Sequence, residues 1–206
     1  MAPRNNKPFQ PKDLDPTLAA MEPRSAMELK NLSLNISRSE ETHCFRASVY
    51  IKGKRMFAVS NRGCGGPNEY SPSDFNTGKE AFEEAMAIAR EEAKQYTLKK
   101  IELGENLQWA IDELRPNELI DWLITDLINE PLILKKMRKT LKKKITIYDP
   151  KKKQTFSLGK DKPTDENIDK YKDHFATKSD EKNAKDWIWL NTIPEAEAYK
   201  YWRTAS

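Results

Sequence analysis

The chain has 206 residues, 37% hydrophobic and 33% charged, with a formal net charge of +4. That length suits one large domain or two small ones, and five Trp, seven Tyr and seven Phe can anchor a lean core in so polar a chain. The longest apolar run is too short to span a bilayer, the opening MAPRNNKPFQPKD holds no apolar signal segment, and Cys44 and Cys64 make no disulfide framework, so a reducing cytoplasm is expected.

Five prolines, Pro3, Pro8, Pro11, Pro16 and Pro23, crowd residues 1–26. Proline blocks helices and sheet ladders, which predicts a disordered arm, with room for a short helix near Leu18–Met21. Leu32, Leu34 and Ile36 then alternate with Ser33, Asn35 and Ser37, the period of a strand buried on one face. Phe45, Ala47, Val49 and Ile51 form a second strand, Lys52-Gly53 a tight turn, and Phe57 and Val59 a third. The glycine-rich stretch SNRGCGGPNEY (60–70) follows. Thr77-Gly-Lys-Glu80 reads as a capping box, opening a helix with Phe82, Ala85, Ala89, Ala93 and Tyr96 on one stripe.

Residues 105–144 carry a helical period. Pro116 stops a first stripe, and Asn129-Glu130-Pro131 is expected to break a second helix (117–129) from a third (131–144). Ile145–Tyr148 and Gln154–Leu158 read as a hairpin around Asp149-Pro150. Thr164 opens a polar helix towards Phe175, Trp187–Leu190 is a last apolar strand, and Thr192-Ile-Pro-Glu195 is a second capping box before a terminal helix to about Trp202. The fold expected is α+β. A disordered proline-rich arm (1–26) leads into a three-stranded antiparallel sheet with a covering helix (27–104). A mainly helical part with a small β-hairpin follows (105–206).

Charge is segregated along the chain. Residues 131–162 hold twelve basic residues against Asp149 and Asp161, a local +10, so the rest of the chain carries −6. Residues 102–130 alone carry −7, enough to neutralise the basic helix if the two pair. Such blocks bear on association rather than on fold. Lys135, Arg138, Lys139 and Lys142 share one helical face opposite Leu134, Met137 and Leu141. Lys143 and the hairpin lysines Lys151, Lys152 and Lys153 extend that charge. The broken pair of helices has a helix-turn-helix outline, but without Asn or Gln to read bases, nucleic-acid binding here would run through the backbone and fall with salt.

The glycine loop fails both nucleotide fingerprints: its spacing is G-x-G-G, and Gly78-Lys79 is followed by Glu80. It can serve as an anion nest or as a turn. Cys64 beside Arg62 suits a thiolate nucleophile, with His43 as its base. His43, Cys44 and Cys64 lack the spacing of a zinc site, and Glu40-Glu41 have no identified partner carboxylate. The β-β-β-α order is that of double-stranded-RNA-binding domains, yet the start of the helix is acidic where those are basic. Asn61 and Arg62 are the loop residues expected to be presented for contact. No complete catalytic constellation emerges, and no cofactor, metal or membrane partner is implied.

The stretches SEETHCFRASVYIKGKRMFAVSNRGCGG (39–66), LIDWLITDLINE (119–130) and WLNTIPEAEA (189–198) resemble a family of uncharacterised small proteins of phages and bacteria. The family has no assigned activity, so the resemblance implies only a setting: a phage-encoded chain in a host cytoplasm. Together these readings predict a non-enzymatic protein that binds a host protein or ribonucleoprotein, for example an anti-CRISPR-like inhibitor of host defence. The alternatives are a backbone-driven nucleic-acid binder and a small cysteine- or metal-dependent enzyme.

Overall fold

The computed structural model describes residues 24–74, 76–177 and 186–205. As far as Pro23, the expected arm and its short helix lie outside the described residues. Its last residues are held in place: Ser25 Oγ and the Ala26 amide both donate to Glu92 Oε1, at 2.9 and 2.6 Å. The chain divides into two compact units, Met1–Ile128 and Asn129–Ser206.

The first unit is built on an antiparallel sheet of four strands rather than three: β1 (Met27–Leu34), β2 (Cys44–Ile51), β3 (Lys54–Arg62) and β4 (Glu69–Pro72), in that order. The fourth strand, Glu-Tyr-Ser-Pro, is too short and too polar to show an alternating pattern, and a fourth strand before the helix also departs from the double-stranded-RNA-binding order. Lys52 and Gly53 turn β2 into β3 with both φ positive (50° and 78°), as a two-residue hairpin requires. Two bulges disturb the period. One follows Lys30, where Asn31 has φ 54°. The other lets neighbouring Met56 and Phe57 both be buried. Ile36, expected inside, sits in a short 3-10 turn (Ile36–Arg38) and is 72% exposed.

Helix α1 (Lys79–Glu102) covers the sheet through its Ala85, Ala89, Ala93 and Tyr96 stripe, with Phe82 edge-on to Phe57 at 6.5 Å. The Thr77 capping box does not form. Gly78 is the N-cap, with no side-chain cap bond, and Thr77 Oγ1 bonds Asp74 Oδ1 instead. A short helix α2 (Gln108–Glu113) leads to α3 (Pro116–Leu141), which passes through Pro131 without a break. The helix-turn-helix outline is therefore absent. An interior proline costs about 3 kcal/mol through its missing N–H and its ring clash. Burial of Ile128, Leu134 and Met137 on the same helix offsets this. Around the proline, Tyr199 Oη donates to the Glu130 carbonyl at 3.1 Å, and Arg203 lies 3.5 Å from the Glu130 carboxylate. The pattern of strands and helices placed the expected domain boundary at 104/105. The division falls at 128/129, and Lys100, 2% exposed, bonds Glu105 (3.1 Å) and Asp126 (3.0 Å), tying the third turn of α3 to α1 within the first unit.

In the second unit the hairpin β5 (Ile145–Asp149) and β6 (Gln154–Leu158) gains a third strand, β7 (Ile188–Trp189), on the far side of β5. With neighbours on both edges, β5 is buried throughout. Thr164 Oγ1 caps α4 (Asp165–Thr177) by accepting from the Asn167 amide at 3.3 Å. The second capping box fails like the first: Pro194 is the N-cap of α5 (Glu195–Thr204), and Thr192 Oγ1 donates to the Trp189 carbonyl. Among the described residues no helix is long and apolar enough to cross a membrane.

Tyr70 on β4 donates to Asp121 of α3 and packs edge-on against Phe57 at 5.6 Å. Burial, then the bond to Asp121, raises the Tyr70 phenol. Burial also raises the Asp121 carboxyl, outweighing the bonds it accepts from Tyr70 and Asn68. A carboxyl raised in the folded state binds more protons there than when unfolded. Its stabilisation is complete in acid and is lost as pH rises through the raised value. The urea midpoint of the native chain minus that of Asp121→Asn, which does not titrate, is therefore expected to fall from about pH 3 to about pH 7. A flat or rising difference contradicts this.

Candidate functional site

The glycine loop is a built turn at the end of the sheet. Gly63, Gly65 and Gly66 have φ of 88°, 84° and 87°, a region costly for residues with a Cβ. Asn61, expected to face a partner, is turned inward instead at 7% exposure. Its Oδ1 accepts from Thr42 Oγ1 (2.8 Å) and the Gly63 amide (2.9 Å), while its Nδ2 donates to Asn68 Oδ1 (3.1 Å) and the Gly66 carbonyl (3.3 Å). The Gly63 carbonyl accepts from the amides of Glu40, Glu41 and Thr42. Arg62 is exposed as expected, 3.4 Å from Glu69.

An anion nest needs free amides and no competing carboxylate. Here the Gly63 and Gly65 amides are taken by Asn61 and Thr42, and a Cβ on Gly65 would meet the Glu41 carboxylate. The loop therefore reads as structural. Strand pairing sets Cys44 opposite Arg62, which brings His43 and Cys64 to the same end of the sheet. The exposed Cys64 thiol donates to the Arg62 carbonyl at 3.8 Å, a weak contact. No cluster of three or more His, Cys, Asp or Glu among the described residues has the arrangement to hold a metal.

The basic segment belongs to the second unit. Lys135, Lys139, Lys142 and Lys143 are exposed, while Leu134 and Met137 of the same helix are buried and Arg138 and Leu141 are half-buried. Arg138 is held by Glu195, at 2.8 Å from Nε. Arg138 and Lys142, with Asn191 and Glu195, wall an open cleft of about 330 Å³. The Asn191 side chain organises this region. Its Nδ2 donates to the carbonyls of Leu141 (2.9 Å) and Lys144 (3.1 Å), and its Oδ1 accepts from the Thr146 amide (2.7 Å). One amide thus caps the end of α3 and anchors the start of β5, fixing the backbone that carries Lys142–Lys144. Sequence reasoning left Asn191 out, since a lone Asn after an apolar strand has no periodic signal. Lys151, Lys152 and Lys153 sit apart, at the hairpin turn.

The acidic stretch 102–130 has its own partners. Lys100 holds Glu105 and Asp126, Tyr70 holds Asp121, Arg115 lies beside Glu118, and Gln108 bonds Asp112. By contrast, Lys135, Lys136, Lys139, Lys142, Lys143 and Lys144 make no ion pair among the described residues. Compared with family models, curated proteins and solved structures, the chain matches none.

The loop geometry separates its glycines. Gly63→Ala brings a Cβ against the Arg38 carbonyl and to 2.8 Å from Cys44 Cβ, whereas Gly66→Ala meets nothing within 4 Å. Gly66→Ala is expected to cost about 1–2 kcal/mol from positive φ alone, and Gly63→Ala more. Urea midpoints measure both, and equal losses contradict the packing described.

Proposed function

We propose that this is a binding protein without chemistry of its own, which docks on a host protein or ribonucleoprotein through the Lys-rich face of residues 129–206. The observation that carries this reading is the row of exposed lysines along the end of α3, unpaired among the described residues, on backbone held by Asn191. Charge presented on a fixed frame steers encounter with an oppositely charged surface and suppresses wrong partners. The resemblance to phage and bacterial proteins supports a phage-encoded chain at work in the host cytoplasm, with inhibition of a host defence complex as one concrete form.

A second reading, direct nucleic-acid binding, is favoured by the same unpaired lysines. It would proceed without base reading, since the lysine face of α3 offers no Asn or Gln, the Asn191 amide is bonded to backbone groups, and the one Arg, Arg138, is held by Glu195. Affinity capture from bacterial lysate, with and without nuclease, separates the two. Nuclease-resistant capture of a defined protein or ribonucleoprotein, weakened at least several-fold by Lys135→Glu/Lys139→Glu, is the expected result. Capture indifferent to those substitutions contradicts the proposal. So does turnover of nucleotides or nucleic acid that is lost in Cys64→Ala.

A further inference from the structure

The basic residues of 131–162 are contiguous in sequence but not in space. β5 and β6 pair from Ile145–Leu158 at the open end of the hairpin to Asp149–Gln154 at its turn. Lys142, Lys143 and Lys144 lead into β5 at the open end, and Lys160 and Lys162 follow β6 out of it. Lys151, Lys152 and Lys153 form the turn, roughly 14 Å of strand away.

The two ends are compensated differently only in part: at the turn Lys151 has an ion pair, while Lys152 and Lys153 have none among the described residues. At the turn, the buried Asp149 accepts from the Lys151 and Lys152 amides (2.9 and 3.3 Å). Lys151 Nζ lies 2.8 Å from Asp186, and Lys152 Nζ sits 5.5 Å over the Phe156 ring. At the open end, Asp161 accepts from Tyr171 Oη (3.1 Å) and Glu195 is held by Arg138. Asp165 and Glu166 lie in the first turn of α4, where the helix's own N–H groups favour them. Lys142, Lys143, Lys144, Lys160 and Lys162 have no ion pair among the described residues, and Lys135 and Lys139 continue their charge along α3. From Lys135 to Lys142 the helix rises about 10 Å.

Resting on the proposed docking role of this face, we infer that the open end of the hairpin and the last two turns of α3 seat the phosphodiester backbone of a nucleic acid, and that Lys151–Lys153 stand outside the footprint. In a ribonucleoprotein this selects the RNA. The lack of apolar anchors favours phosphate over a protein surface. The large hydrophobic residues exposed among the described residues are Ile36, Ile88, Leu103 and Trp109, all in residues 24–128, and Phe156 on β6. Protein interfaces depend on such anchors, whereas a phosphate chain needs only matched charge and the release of its counterions.

Two triple charge reversals of equal net charge test this in the full chain, read by fluorescence anisotropy with a mixed-sequence RNA duplex of about 20 base pairs, from about 50 to about 200 mM salt. Lys143→Glu/Lys144→Glu/Lys160→Glu is expected to lower affinity more than about tenfold and to flatten the log K against log salt slope by roughly one unit for each phosphate no longer neutralised. Lys151→Glu/Lys152→Glu/Lys153→Glu is expected to change affinity less than about threefold and to keep the slope, because these residues lie outside the seat. Equal losses, or a greater loss from the turn triple, overturn the footprint. A native chain that does not bind the duplex at low salt overturns the phosphate seat. In that case nuclease-resistant capture of a protein partner still upholds the binding role, whereas duplex binding without any captured partner refutes that role alone.

Discussion

The proposed interface depends on one side-chain amide. Asn191 binds the carbonyls of Leu141 and Lys144 and the amide of Thr146, so a helix end and a strand start share one anchor. Each bond is worth about 1 kcal/mol net, and losing the anchor would leave the Thr146 amide buried without its partner. Local order matters more here than the energy. Lysines on a frayed helix end would have to be ordered on binding, at an entropy cost for each side chain and each residue of backbone. Asn191 meets the backbone part of that cost when the chain folds.

The first unit uses the same device for another end. Asn61 ties Thr42, Gly63, Gly66 and Asn68 into one closed loop, and elsewhere in the same unit Lys100, Tyr70 and Arg115 hold Glu105, Asp126, Asp121 and Glu118. Both loops are thus fixed by a buried or half-buried Asn, but with opposite surface results. Around Asn61, the loop's polar groups satisfy one another, and the charges left exposed there, Arg38, Glu40, Glu41 and Arg62, are of both signs. Around Asn191, the polar backbone is satisfied and the lysine charge is left over. That contrast is why the Lys-rich face, rather than the glycine loop, carries the functional reading.

Much of the fold was legible where periodicity and turn chemistry agree. The β2–β3 hairpin followed from alternation plus Lys52-Gly53, α1 from its alanine stripe, and the β5–β6 hairpin from two short apolar runs. The misses have physical causes. A bulge adds one residue and shifts the phase, so Met56 beside Phe57 hid the register. Pro131 reads as a breaker because propensity sees a missing N–H; it does not see the burial of Leu134 and Met137 or the Tyr199 hydroxyl on the Glu130 carbonyl. Both capping boxes failed because Thr77 and Thr192 found nearer acceptors. At the candidate site, the exposed helical face of lysines was readable from spacing alone. The separation of Lys142–Lys144 from Lys151–Lys153 was not, since it arises only when the hairpin sends its turn away from its open end.

The most direct measurement of the central claim is a lysine footprint. The full chain is acylated with and without bound RNA duplex, and protection is read by mass spectrometry at each lysine. Protection of Lys135, Lys139, Lys142, Lys143, Lys144, Lys160 and Lys162, with Lys151, Lys152 and Lys153 modified equally in both states, is the predicted result. Protection centred on the hairpin turn, or spread evenly over both ends, would contradict it.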